Sequence, residues 1–305
     1  MTRKFLTLAI SLLILAAIYY KIDIHRLGGV LANAEPRYLA VSLATLVPLI
    51  LLTAWRLQIL APARAQIRFI ESTRLILVAS VLNMVLPSKM GDLAKAYFMK
   101  RENGSGTLTF SLVVFEKTAD MLSLLLWCAL GLLLYPRKDA LFCGIAMIVV
   151  IGLVAGISLL ASKRLANIAF TFGRKFDKVR ALESGWKEMQ RFFWSDTPRV
   201  LFVAGLSVFI WFLHLLQIWL FILALRADAP FITTLGLAPL AILAGLLPFT
   251  FAGIGTRDAA LILLYKPYFA APVAAALGVL CTARYLIPAI GGLPFLPRYL
   301  KKLHG

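Results

Sequence analysis

Glu116, Lys117 and Asp120 sit inside an otherwise apolar run, between Leu112-Val113-Val114-Phe115 and Met121-Leu122-Ser123-Leu124. A spacing of four residues puts Glu116 and Asp120 on one face of a helix. Two carboxylates that close in a low-dielectric setting need a cation or a shared proton. Arg284, bracketed by Leu280-Cys281 and Tyr285-Leu286-Ile287, reads as the deepest arginine of the chain. Further charges follow two Leu-Pro pairs: Lys89, Asp92 and Lys95 after Leu86-Pro87, and Arg257 and Asp258 after Leu247-Pro248. An ionisable side chain inside a membrane-spanning segment costs about 2.5–3.5 kcal/mol on insertion scales and is a functional candidate by default.

If the fold gathers these residues, Lys89, Lys95, Arg257 and Arg284 form a basic pocket, with Asp92, Glu116, Asp120 and Asp258 as charge partners or a proton relay. Such a pocket suits a phosphate, which arginine binds bidentately and with little hydration to shed. The competing reading is that Glu116, Asp120 and Arg284 pair with one another as glue between helices while the other charges lie at the membrane interface. The pattern is one of binding and offers no catalytic residues: GxSxG, P-loop, HExxH and DxD signatures are all missing from the chain. His25, His214 and His304 are scattered, so neither a metal site nor a cofactor is expected.

The segments that must position the charges are unusual. Asn83-Met84-Val85-Leu86-Pro87-Ser88-Lys89-Met90-Gly91-Asp92 and the stretch from Gly245 to Asp258 each run Leu-Pro, glycine, charged cluster, and each interrupts an apolar run. Pro87 and Gly91 in the first, and Pro248, Gly253 and Gly255 in the second, break helical pairing. At membrane depth such breaks are tolerated only where they are buried in protein or line a wet cavity.

Composition sets the solvent. The chain is 61% hydrophobic, with a mean hydropathy of +0.87 and 15% charged residues, too apolar for a soluble domain of 305 residues. Its 32 Lys+Arg against 14 Asp+Glu give a net charge of +18, but the basic residues lie in short loops between apolar runs. That distribution points to an anionic membrane surface and away from nucleic acid. Cys128, Cys143 and Cys281 lie in apolar segments without CxxC spacing and read as small hydrophobes.

A crossing helix needs about 20 apolar residues. Six full spans are predicted, at 4–20, 38–60, 106–135, 140–161, 199–225 and 271–295, with the broken stretches 67–97 and 234–265 as re-entrant hairpins. The first span reads as a retained helix, because Ile18-Tyr19-Tyr20-Lys21 lacks the small-x-small exit of a signal peptide. Segment 163–199 holds nine Lys/Arg against four acids, is expected on the cytoplasmic side, and has the apolar spacing of an amphipathic surface helix pair. Counting outward from it puts both termini in the cytoplasm. The two hairpins then enter from opposite sides, so that 38–135 and 199–295 form an inverted repeat within one polytopic domain, 1–305. This is an all-α arrangement common among membrane transporters.

Four stretches together resemble one family: Leu86-Pro87-Ser88-Lys89-Met90-Gly91-Asp92-Leu93-Ala94-Lys95, Phe115-Glu116-Lys117-Thr118-Ala119-Asp120, Leu247-Pro248 through Gly253-Ile254-Gly255-Thr256-Arg257-Asp258, and Arg284-Tyr285 before Gly291-Gly292. They are similar to the lysylphosphatidylglycerol synthase transmembrane family, the MprF-type flippase domain, over nearly the whole chain. Phe251-Ala252 stands where that family usually has proline-glycine, and Asp258 where glutamate is common. The resemblance implies a lipid-translocating protein of a prokaryotic inner membrane. Full synthases carry an aminoacyl-transferase domain after the membrane part; with none before Gly305, a stand-alone member is expected.

The function so implied is an ATP-independent lipid flippase or scramblase for a phospholipid, glycolipid or polyprenyl-linked lipid with an anionic or phosphate headgroup. The alternatives are a membrane enzyme using Glu116 or Asp120 as base on a lipid-linked substrate, and a scaffold recruiting a cytosolic lipid-modifying enzyme such as a glycosyltransferase through 163–199.

Overall fold

A computed structural model of the protein describes residues 24–86, 91–103, 106–135, 139–173, 177–246 and 254–304. Among them every regular element is helical. A short helix α1 (Ile24–Ala32) leads into α2 (Pro36–Ala44) and α3 (Leu46–Leu60), which continue one another across Thr45. Pro36 begins α2 where its missing N–H costs nothing. Then come α4 (Phe69–Val85) and α5 (Gly91–Asn103), α6 (Gly106–Leu134), α7 (Ala140–Ala161), α8 (Lys163–Gly173) and α9 (Asp177–Trp194). The chain continues as α10 (Thr197–Ala224), α11 (Phe231–Gly245), α12 (Thr256–Leu264), α13 (Ala271–Gly292) and α14 (Leu296–His304).

Five segments are long and apolar enough to cross a membrane: Pro36–Leu60, Gly106–Leu134, Ala140–Ala161, Thr197–Ala224 and Ala271–Leu300. They coincide with five of the six predicted spans; the sixth, 4–20, lies outside the described residues. The most apolar window of α7 is only 6% buried, and Leu141, Met147, Ile148, Ile151 and Val154 point outward from it. An apolar face of that extent is at equilibrium in hydrocarbon and not in water. The chain is thus a multi-pass, all-α membrane protein.

Both predicted breaks fall between helices. α4 and α5 pack side by side across the first, and α11 and α12 across the second. Pro87, Lys89, Pro248 and Gly253 lie outside the described residues. Gly91 opens α5 where a Cβ would collide with the Asn83 amide and the Ala79 carbonyl of α4, so the close return of the chain requires glycine. Gly255 precedes α12 with a φ of 102°, a conformation that side chains resist.

The long helix α6 sits at the centre, packed on α5, α7, α9, α10 and α11. It joins two apolar cores. One gathers Leu57, Leu60, Leu75, Leu108, Leu112 and Phe115 beneath α9, and the other gathers Leu124, Leu215, Phe221, Leu237, Leu261 and Leu277. Between Phe115 and Leu124 lies the charged turn of α6, a polar layer sandwiched by apolar ones. The segment predicted as an amphipathic pair is helical as α8 and α9, but α9 turns its apolar side inward: Trp186 packs tilted and Phe193 edge-on against Phe115, with ring centroids 5.7 and 4.7 Å away. α9 therefore caps a protein core, whereas Leu165 and Ile168 of α8 remain exposed.

Candidate functional site: an ion-lined cavity in the bundle

Glu116 occupies a point of α6 that no solvent reaches, with a relative exposure of 0%. It accepts from Lys95 Nζ of α5 at 2.6 Å and from Arg56 Nη2 of α3 at 3.4 Å. One turn on, Asp120 pairs with Arg56 Nη1 at 2.6 Å and with Lys117 Nζ at 3.1 Å. Lys117 also reaches Asp92 Oδ2 of α5 at 2.9 Å, and Lys95 Nζ lies 3.6 Å from Asp92 Oδ1. Arg56, Lys95 and Lys117 thus close a network with Asp92, Glu116 and Asp120 in which charges balance. Ser207 Oγ and Trp211 Nε1 of α10 extend it, the first accepting from Arg56 at 3.1 Å and the second donating to Asp120 at 3.4 Å. Carboxylates at i and i+4 were expected to need a cation; Arg56 is that cation, lying against both.

A cavity of about 200 Å³ opens against this network, several times the roughly 30 Å³ a water occupies in the liquid. Its charged lining comprises Arg56, Asp92, Lys117 and Asp120 from one side and Arg284 of α13 from the other, and the rest is mostly apolar. Asn83, at the end of α4, also lines it and accepts from the Asp92 backbone N–H at 3.2 Å, holding the start of α5 in place.

Arg284 differs from every other buried cation here. No carboxylate lies within salt-bridge distance of it among the described residues; its Nε, like that of Arg56, has no hydrogen-bond partner there. It donates to the Tyr285 hydroxyl at 2.8 Å and, at a longer 3.4 Å each, to the His214 carbonyl and Gln217 Oε1. Its guanidinium also lies 4.8 Å from the Tyr285 ring centre, a cation–π distance. Gln217 is aimed by a reciprocal pair of bonds with Ser42: its amide donates to the Ser42 carbonyl at 2.8 Å, while Ser42 Oγ donates to the Gln217 carbonyl at 3.2 Å. Pro288, inside α13, has no N–H to give to the Arg284 carbonyl four residues earlier. The charge there has only neutral partners among the described residues.

The sequence-derived candidates divide. Arg284, Asp92 and Asp120 line the cavity, with Glu116 directly behind. Lys95 does not line it, being 1% exposed and spent on Glu116 and Asp92. Arg257 and Asp258 lie elsewhere. Arg257 Nη2 sits 2.6 Å from Asp258 Oδ1 and donates to the Gly278 carbonyl and Thr282 Oγ1 of α13 at 2.9 and 2.7 Å. Asp258 Oδ2 in turn accepts from the Gly255 N–H at 3.0 Å, capping α12. Lys89 and the residues Pro87, Pro248 and Gly253 lie outside the described residues.

Sequence reasoning missed Arg56, which is as fully buried, at 1% exposed, as Arg284 is at 3%. Arg56 falls in the last turns of an apolar run, where a basic residue reads as one reaching back to the interface. The signal available was Trp55-Arg56-Leu57, an arginine followed by Leu57, Ile59 and Leu60 before the chain turns polar. Gln217 and Tyr285 were missed because uncharged polar residues in apolar helices carry little signal alone.

Fold and site together define a class: an all-helical membrane protein with one of its two inter-helix breaks beside a buried, ion-lined cavity. The chain belongs to the family described as the lysylphosphatidylglycerol synthase TM region, which matches residues 4–292. It is similar to UPF0104 membrane protein MJ1595 of Methanocaldococcus jannaschii, with 28% identity over 314 residues that cover 95% of this chain and 93% of the relative. A membrane lipid-related role is consistent with that membership.

Proposed function

We propose that the protein moves lipids between leaflets without ATP, taking an anionic phosphate headgroup into the cavity beside Arg284 while the acyl chains stay in the bilayer. The observation that carries this reading is Arg284 itself, 3% exposed, lining a cavity within a membrane-spanning helix and lacking a carboxylate partner among the described residues. A guanidinium desolvated to that degree is costly unless a counter-charge arrives. The apolar majority of the lining suits the start of an acyl chain, and the neutral network opposite neither repels nor captures a headgroup strongly.

In this reading the two broken helix pairs are oppositely oriented re-entrant hairpins of an inverted repeat, 38–135 and 199–295. Their lengths support it: helices of 17, 13, 15 and 9 residues reach only about 14–26 Å against a hydrocarbon core of about 30 Å. The distribution of basic loops supports, in the same reading, both termini on the cytoplasmic side of a prokaryotic inner membrane.

Reconstitution into liposomes tests the function. Labelled phosphatidylglycerol should exchange between leaflets faster with the protein than without it, and Arg284→Gln should slow that exchange at least tenfold while the protein stays folded, the loss expected for one charge-assisted bidentate contact at about 1.4 kcal/mol per decade. Undiminished exchange by folded Arg284→Gln would remove the headgroup assignment. Labelling of single cysteines placed in 163–199 and near both termini, from one membrane face at a time, tests the orientation.

A further inference from the structure

The charges of the described cavity lining can be paired off one by one. Arg56, Lys95 and Lys117 are balanced by Asp92, Glu116 and Asp120 through contacts of 2.6–3.6 Å. Arg257 is balanced by Asp258 outside the cavity. One positive charge is left over in the described cavity lining, on Arg284. The groups facing it are neutral acceptors, the His214 carbonyl, Gln217 Oε1 and the Tyr285 hydroxyl, and its walls hold the self-compensated Asp92, Lys117 and Asp120.

From this count we infer that the cavity selects phosphate by charge: it takes a phosphodiester, which carries one negative charge, and rejects a phosphomonoester in its doubly charged form. The inference rests on the lipid reading above and deepens it. One anion beside Arg284 leaves the described lining of the cavity neutral. A second negative charge finds no further unpaired cation among the described residues that line the cavity; it would have to draw Lys117 or Arg56 from the carboxylates they satisfy, leaving those carboxylates buried and unpaired. The rule excludes lipids that end in a bare phosphate and admits those whose phosphate is esterified on both sides, whatever the second alcohol.

A phosphomonoester loses its second proton near pH 6, so the same lipid is a monoanion at about pH 5 and a dianion at about pH 9, whereas a phosphodiester keeps one charge throughout. The test measures binding and leaflet exchange of two lipids with identical acyl chains, phosphatidic acid and phosphatidylglycerol, by the wild-type protein in liposomes at both pH values. At about pH 9 the monoester should be disfavoured at least tenfold, and at about pH 5 the two should agree within about twofold, since one unpaired buried charge costs well over the 1.4 kcal/mol of a decade. Titration of the protein's own groups, His214 in the wall or Asp92 and Asp120 in the network, would move both lipids together. The diester therefore separates protein titration from lipid titration.

Asp92→Asn removes one carboxylate partner of Lys117 and should let the dianionic monoester in at about pH 9. If this variant fails to fold, the wild-type ratio still decides. Equal handling of the two lipids by the wild type at about pH 9 would overturn the charge rule and leave lipid transport standing. If neither lipid exchanges, the lipid reading itself fails. Uptake of soluble glycerophosphoglycerol without lipid exchange would assign the site to a free diester and overturn the lipid reading.

Discussion

Arg257 and Arg56, both buried against carboxylates, are used in opposite ways. In the second half of the chain Arg257 closes on the adjacent Asp258 and on the carbonyls of α13, while Asp258 caps α12. Every strong donor finds an acceptor within two neighbouring helices. In the first half the charges span three helices, Arg56 of α3, Lys95 and Asp92 of α5, and Glu116, Lys117 and Asp120 of α6, and the Ser207 hydroxyl of α10 joins them. That network forms one wall of the cavity, and Arg284 faces the same space from α13. The contrast separates a charge pair that holds a turn from a charge network that shapes a site. Similar sequence motifs, Leu-Pro followed by glycine and charges, thus do different work in the two halves.

The comparison breaks most sharply at Glu116. Glu116→Gln keeps the shape but leaves Arg56 and Lys95 buried with one carboxylate fewer, and should lower unfolding stability by about 3–5 kcal/mol, measured by chemical denaturation in detergent. A change under 1 kcal/mol would mean that the network is not closed as described. Asp258→Asn should cost less, about 2–3 kcal/mol, because Arg257 retains the Gly278 carbonyl and Thr282 while the cap of α12 is weakened. Among molecules that remain folded it should leave phosphatidylglycerol affinity within about twofold, since neither Asp258 nor Arg257 lines the cavity. Loss of lipid binding in that variant would make the second pair part of the site and erase the distinction.

Sequence pattern was informative where the physics is local. Runs of apolar residues marked five helices because a span must hide its backbone in hydrocarbon, and the Leu-Pro-glycine stretches marked the breaks because proline cannot pair and Gly91 alone fits against α4. Glu116 and Asp120 were legible as a pair because i,i+4 geometry needs no tertiary information. Which cation meets them was not legible: Arg56 is 60 residues from Glu116 and comes from another helix. By the same logic Lys95 and Arg257 looked available, and only packing shows them spent. Arg284 stood out because a lone arginine amid Leu280, Leu286 and Ile287 has no nearby partner in sequence, and in the fold it still meets no carboxylate among the described residues.

Gly91→Ala tests the join between break and site. The new methyl group must push against the α4 backbone around Asn83, which also holds the Asp92 amide. Overpacking of this kind costs about 1–3 kcal/mol, and the displaced Asp92 should weaken lipid binding together with stability. Alanine accepted at no cost to either would show that α4 and α5 can separate without consequence for the cavity.

Arg284→Gln should show the smallest change in stability and for that reason sharpens the contrast most. Arg257 and the network cations are stabilising because their carboxylates are already in place; Arg284 is buried with neutral partners only, so its desolvation is not repaid until an anion binds. In delipidated protein held in an uncharged detergent, Arg284→Gln should leave the unfolding free energy within about 1 kcal/mol of wild type or raise it. Added phosphatidylglycerol should then separate the two proteins: at a hundredfold excess over its dissociation constant it should stabilise the wild type by about 2.7 kcal/mol and the variant hardly at all. A lipid-free loss of several kcal/mol would mean that Arg284 already has a counter-charge in the empty protein, as Arg257 has. The cavity would then carry no unmatched charge to offer a headgroup.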